Sequence, residues 1–439
     1  MNYRIFPPTR LPEAEITLPL SKSVSNRALI IAALTPGMQL PENVAHCGDT
    51  RVLRSSLESQ ANSINVGACG TAMRFLTAFY ACSPGKEVIL DGDSRMRQRP
   101  IKALVDALRV QGASITYMEN EGFPPLKISG RRLAGGEITV DATVSSQFIS
   151  ALLMVAPLGE NPLTLRLSGE VRSFSYIKMT LAMMERAGVE CDLTMPEIRV
   201  PVGTYSPVEQ NVEHDWSAAA FWYEVCALTS GFISLPGLAD DSLQGDRTCA
   251  DIFAHLGITT EFTAGGAEIA ASPDIDGRLY ADLSDNPDLA PAIAVTCALT
   301  GTPFHLSGLE SLRIKECDRI AAVTAELAKL GIMVHPSDSG LEWERQIRKV
   351  ENVPAFDVYA DHRLAMALAP VAACVPGIVI NDADAVNKSY PEFWDDLRRC
   401  GYVTVDASLS PEEIQAHLEA EGYFDEPEDD GDDFDDDDI

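Results

Sequence analysis

Six times along this chain an apolar helical run ends at a glycine and gives way to a β-type run. The segments are NRALIIAALTPGMQL, TAMRFLTAFYACSPGKEVIL, QFISALLMVAPLGENPLTL, SAAAFWYEVCALTSGFISL, APAIAVTCALTGTPFHL and HRLAMALAPVAACVPGIVI. Their glycines, Gly37, Gly85, Gly159, Gly231, Gly301 and Gly377, are separated by 48, 74, 72, 70 and 76 residues, so the first unit lacks some two dozen residues that the others have. Self-similarity at a fixed period marks a fold assembled from one supersecondary unit. A second, more amphipathic helix recurs with its own stop glycine, at Gly112, Gly188, Gly257, Gly331 and Gly401. A glycine there suits the left-handed position after a helix, and the β-branched residues that follow suit a strand. In the short unit the counterpart, DTRVLRSSLESQ, reaches no such glycine.

Each unit therefore holds one helix apolar on nearly all sides, which must be central, and one with a charged face, which can meet solvent. Helices buried all round with strands outside them predict an α/β fold, split three units and three. The 439 residues, 46% of them apolar, suffice for two such cores.

The formal charge of −31 is uneven: 15 of the 65 acidic residues lie between Glu412 and Ile439, a stretch without Lys or Arg, leaving 50 acids against 34 bases in the body. So acidic a chain is a poor partner for nucleic acid or anionic lipid, because phosphate binding needs a basic surface. An anionic ligand must meet a local cationic site. Residues 408–439 are expected to form a solvated, disordered tail. Ten cysteines stand singly, with no CxxC pair and no His at metal-ligand spacing, so no zinc site and no disulfide framework is expected. No signal peptide or membrane span is read, and a cytoplasmic, monomeric protein is expected.

Polar residues collect just before the six buried helices: Ser21 to Ser25, Gly67 to Gly70, Ser145 to Gln147, His214 and Asp215, Asn286 to Asp288, and Asp361. Some are ordinary N-caps, and Asp215 reads equally well as nothing more. The first and third groups offer more side chains than one cap uses, and free N–H groups with the helix dipole make such ends anion sites. Cations stand at the same addresses: Lys22, Arg27, Arg74, Arg95, Arg97, Arg99, Lys315, Arg319, Arg363 and Lys388. On an acidic protein this grouping points to small anionic substrates. Two carboxylates stand among them, Asp288 and Glu316, and can act as base or acid where burial opposes the cations. His362 either donates to a phosphate or completes a cap, and Cys317 has no His partner nearby that would make it a nucleophile.

The motifs SKSVSNRALIIAAL, GTAMRFL, RMRQRPI, VSSQF, KECDRI, DHRLAMA and KSYPEFW, in this order, resemble the 5-enolpyruvylshikimate-3-phosphate synthase family over about residues 5–405. The resemblance implies a two-domain inside-out α/β barrel of six βαβαββ repeats, three per domain. Its first domain would comprise 1–20 with 213–407, and its second 21–212, with the shortened repeat. It implies transfer of the enolpyruvyl group of phosphoenolpyruvate to shikimate 3-phosphate through a tetrahedral adduct, without metal or organic cofactor. Carried over by motif, Lys22, Ser23, Arg27, Ser145, Ser146, Gln147, Ser173, Asp288, Ser311 and Lys315 would bind shikimate 3-phosphate. Lys22, Gly70, Arg99, Gln147, Arg319, Arg363 and Lys388 would bind phosphoenolpyruvate. Asp288 and Glu316, with Lys22 or Lys388, would move protons. Against the family's usual pattern, Ala68 replaces Asn, Cys69 a smaller residue, Phe75 a Pro and Ser311 an Asn, and these changes are expected to alter affinity and inhibitor response. A related transferase acting on a UDP-amino sugar is the nearest rival, but its catalytic-loop Cys has no match near Arg95–Pro100. A non-catalytic paralogue is argued against by the retention of Asp288, Glu316 and Lys388.

Overall fold

The computed structural model describes residues 1–143, 145–272 and 277–424. The six apolar runs form helices Lys22–Leu34, Gly70–Ala81, Ser146–Val155, Trp216–Thr229, Ala290–Thr300 and His362–Leu368, each buried along most of its length. A helix that buries Phe148, Ile149, Leu152, Leu153, Met154 and Val155 gains roughly 1.5–3 kcal/mol from each large side chain removed from water. Its surroundings, rather than its propensity, hold it.

Among the described residues five four-stranded sheets lie outside these helices, each with one parallel pair followed by two antiparallel pairs. In the second unit strand Ser63–Asn65 runs parallel to Glu87–Asp91. The latter pairs antiparallel with Leu126–Ser129, which pairs antiparallel with Ser114–Tyr117. Strand residues alternate between a buried and a more exposed face, as along Leu163–Ser168, so one face covers the helices and the other meets solvent. All five stop glycines of the amphipathic helices have φ between 77° and 89°. Among the first set, Gly159 and Gly231 are not left-handed; before the latter Ser230 takes that conformation instead, and a Cβ on Gly231 would stand 2.8 Å from the Pro12 carbonyl oxygen.

The N-terminal residues finish sheets that begin far away in sequence. Strand Glu13–Glu15 runs parallel to Phe232–Pro236, and Tyr3–Phe6 inserts between Ile378–Ile380 and Val403–Asp406. Buried apolar residues fall into two clusters. One joins Ile5, Ile16 and Leu18 to residues from Trp216 to Tyr402, and the other runs from Val24 to Val212. Two domains of α/β units result, and the shortened first unit supplies helices Lys22–Leu34 and Gly48–Glu58 but no strand among the described residues.

The expectation of a disordered tail from 408 fails for its first part. Ser410 and Glu413 form a reciprocal capping box that starts helix Pro411–Ala420, Leu418 is buried, and Tyr423 meets the ring of Phe6 edge-on at 5.9 Å. The rest of that expectation, 425–439, lies outside the described residues. No helix among the described residues is long and apolar enough to cross a membrane.

Candidate active site

The buried helices of both domains point their N-termini at one cleft. It is lined by Lys22, Ser23, Arg27, Gly70, Arg99, Ser145, Ser146, Gln147, Ser173, Asp288, Ser311, Lys315, Glu316, Arg319 and Arg363. Lys388 reaches it through a 2.7 Å ion pair with Glu316. The structure thus brings together every residue carried over by motif for substrate binding or proton transfer. Of the other sequence candidates it places Arg74, Phe75 and His362 in the lining and leaves Arg95 and Arg97 outside it, and it adds Asp49, Thr71 and Tyr176.

On the second-domain wall, Arg27 is buried and donates to Thr180 Oγ1 (2.7 Å), Ser150 Oγ (3.1 Å) and the carbonyls of Ser23 and Tyr176. Its guanidinium lies 5.5 Å from the Phe75 ring centroid and 5.8 Å from that of Tyr176, so Phe75 has a role that no proline could fill. Burial lowers the Arg27 guanidinium to about 10, so it stays charged at neutral pH. Arg74, one turn after Gly70, is also buried, held by the Gly70 carbonyl (3.0 Å) and lying over the Phe148 ring. Burial and then Arg99 lower it from its usual value. A Cβ on Gly70 would stand 2.8 Å from Nη1 of both Arg74 and Arg99, so any side chain there would push aside the two guanidiniums that converge on this helix N-terminus. None of Arg27, Arg74 and Arg99 ion-pairs with a carboxylate among the described residues.

On the first-domain wall the charges interlock. Asp288 accepts from Arg319 Nη1 at 2.7 Å and Arg363 Nη2 at 3.0 Å, with Lys315 Nζ at 3.4 Å. Arg319 also binds Asp361 through Nε at 2.7 Å and Glu316 at 3.1 Å. Burial works to raise the Asp288 carboxyl, but Arg363, Lys315 and Arg319 outweigh it and hold it well below the usual carboxylate range. Glu316 behaves alike: Lys388, Arg319 and Arg99 overcome burial. Both are therefore ionised and can act as bases. Lys388 is opposed by burial but raised by Glu316 and Asp49, and Lys22, likewise opposed by burial, is raised chiefly by Asp49 at 3.2 Å. The sequence signal for Asp49 was slight, an acid in the first turn of a helix in the shortened unit.

Caps separate from ligand groups. Asp215 caps its own helix through Ser217 N–H at 2.8 Å and also accepts from Lys22 N–H at 3.3 Å, joining helix ends of the two domains. Asp361 caps through Arg363 N–H, so His362 is free of that duty; both its ring nitrogens are buried without a hydrogen-bond partner. Burial, Lys22 and Arg363 lower His362 well below its usual value and keep the ring neutral. Cys69 Sγ caps its helix by accepting from Ala72 N–H at 3.4 Å, and burial pushes its thiol up, away from thiolate. Cys317 also stays a thiol, raised by burial and by Asp361. Ser311 Oγ is buried and unpartnered in the cleft lining.

Comparison with known proteins gives one consistent result. The family described as EPSP synthase (3-phosphoshikimate 1-carboxyvinyltransferase) matches residues 52–397. A 3-phosphoshikimate 1-carboxyvinyltransferase of Bacteroides fragilis is 47% identical over 405 residues, covering 92% of this chain and 98% of its own. One of Shewanella pealeana is 34% identical over 432 residues, covering 90% and 99%. In the solved EPSP synthase of Acinetobacter baumannii, 21% identical, the fold agrees with a TM-score of 0.74 over 92% of this chain and 100% of that one.

Proposed function

Because this chain belongs to the EPSP synthase family, we propose that it transfers the enolpyruvyl group of phosphoenolpyruvate to the 5-hydroxyl of shikimate 3-phosphate, releasing phosphate. One observation supports the reading above others. Three guanidiniums without carboxylate partners face, across one cleft, a wall that holds two ionised carboxylates. The first set suits two substrates that each carry a phosphate, and the second suits a reaction that both removes and delivers protons.

Arg27, with Ser23, Ser145, Ser146, Gln147 and Ser173, binds the shikimate phosphate and ring, and Lys315 and Ser311 approach the ring from the other wall. Gln147 is preset by donating to Thr71 Oγ1 at 3.2 Å. Gly70, Arg99 and Lys22 take the phosphate of phosphoenolpyruvate, while Arg319, Arg363 and Lys388 take its carboxylate side. Arg74 belongs with Arg99 by position.

In the addition step the 5-oxygen bonds to C2 of phosphoenolpyruvate, the hydroxyl proton passes to the Asp288 carboxylate, and C3 gains a proton. Its cationic neighbours keep Glu316 ionised, so it must first acquire that proton. Two bound anions offset the cations that depress it, and Lys388 Nζ stands 2.7 Å away as a proton source. In the elimination step the bond from C2 to the phosphate oxygen breaks, phosphate leaves, and Glu316 takes the proton back from C3. The test is phosphate release from phosphoenolpyruvate with shikimate 3-phosphate as acceptor, set against UDP-N-acetylglucosamine. Release with shikimate 3-phosphate alone is expected, and no release with either acceptor would leave a ligand-binding protein.

A further inference from the structure

The segment that carries Lys315 and Glu316 has no regular structure of its own. It links the turn Glu310–Ile314 to the helix Arg319–Lys329, and among the described residues no backbone N–H donates to the carbonyl of Lys315 or Glu316. Both carbonyls are taken instead by one side chain from the opposite wall. Arg95 donates from Nε to the Glu316 oxygen at 3.0 Å and from Nη2 to the Lys315 oxygen at 3.2 Å. The contact crosses the cleft: Met96 beside Arg95 belongs to one hydrophobic core, and Leu312 and Ile320 on either side of the accepting segment belong to the other.

The turn behind Arg95 is firmly seated. Met96 N–H donates to Asp93 Oδ1 at 2.7 Å, Asp93 N–H donates to the Gly67 carbonyl at 3.1 Å, and a Cβ on Gly92 would strike Met96 at 2.5 Å. Four residues on, the same turn delivers Arg99 to Gly70. The ion-pair partners of the Glu316 carboxylate, Arg319 and Lys388, come from its own domain.

We propose that Arg95 is a positioning residue that fixes the backbone of Glu316 when the two walls meet, and so couples occupation of the Gly70–Arg99 anion site to placement of the proton-transferring carboxylate. A guanidinium fork on two successive carbonyls sets both position and direction of the segment, which a single ammonium cannot do. Arg95 touches no substrate in this account, so its effect must reach the reaction through Glu316.

This inference rests on the function proposed above, and the test separates the two. Arg95→Ala, Arg95→Lys and Arg97→Ala are compared with wild type for kcat and for shikimate 3-phosphate affinity measured by calorimetry. Arg97 pairs with Asp91 and Glu119 inside its own domain and serves as the control. Losing the two hydrogen bonds that Arg95 makes across the cleft should lower kcat of Arg95→Ala roughly tenfold or more. Shikimate 3-phosphate affinity should change little, Arg95→Lys should recover part of kcat, and Arg97→Ala should match wild type. An Arg95→Ala kcat equal to wild type, or a parallel loss of kcat and affinity, would overturn the positioning role. A wild-type enzyme without turnover would overturn the functional reading instead.

Discussion

On the second-domain wall of the cleft, Arg27 and Arg74 meet carbonyls, hydroxyls, a thioether and aromatic rings, and Arg99 Nε is buried without a hydrogen-bond partner. On the first-domain wall, Arg319, Arg363 and Lys315 all close on Asp288, and Arg319 reaches Glu316 and Asp361 as well. The first arrangement leaves positive charge unspent and is ready for an anion. In the second every cation already meets a carboxylate, which keeps Asp288 and Glu316 ionised and aligned. Removing water from an unpaired guanidinium is costly, so such groups persist where a ligand supplies the missing charge. Catalytic carboxylates need the opposite, a fixed cationic frame that sets their protonation state.

The sharpest way to break this contrast is to remove charge from the balanced wall. Glu316→Gln or Asp288→Asn should lower kcat by about 10²–10⁴-fold with the fold retained, since Arg319 keeps its bond to Asp361. Steady-state phosphate release measures it, and near-normal turnover would remove that residue from the mechanism. Charge removed from the other wall should instead appear in binding. Arg27→Gln is expected to raise KM for shikimate 3-phosphate by roughly 10- to 100-fold, the worth of a charge-assisted hydrogen bond, with a smaller change in kcat.

A finer probe keeps the charge and removes what holds it. Phe75→Leu, which takes one ring from the Arg27 guanidinium, should raise the same KM roughly 3- to 30-fold, and Phe75→Tyr should restore it. The walls should also differ in acid. Asp288 and Glu316 are depressed below their unfolded values, near 4, so the stability they contribute is fully present above about pH 4 and lost as pH falls further. Asp288→Asn should therefore flatten the acid limb of Tm against pH, whereas Arg27→Gln should leave its shape intact. The smallest effect is expected away from both walls. Ending the chain after Leu409 should leave kcat unchanged and lower Tm on the order of a few degrees, because it removes the buried Leu418 and the contact between Tyr423 and Phe6.

The glycine-punctuated repeat made the six central helices, the missing piece of the first unit and the polar helix ends legible before any coordinates. Asp49 and the capping thiol of Cys69 were harder to read, because a lone acid and a cysteine before a helix carry no distinctive spacing. The strands Tyr3–Phe6 and Glu13–Glu15 show the limit plainly. Each reads locally as a short strand, but its partners lie more than 200 residues away.

Periodicity is a local property of the chain, and local sterics and side-chain hydrophobicity decide it. So the sequence by itself determined which helices are central, where they stop and which residue types stand at their ends. Which cation finds a carboxylate, and which is left for a ligand, depends on the distance between groups on different units. The stacking of Arg27 on Phe75 and the reach of Arg95 to the carbonyls of Lys315 and Glu316 are of this kind. Only the packing of unit against unit, within one domain for Arg27 and Phe75 and across the cleft for Arg95, brings such groups into contact, and no pattern along the chain encodes that distance.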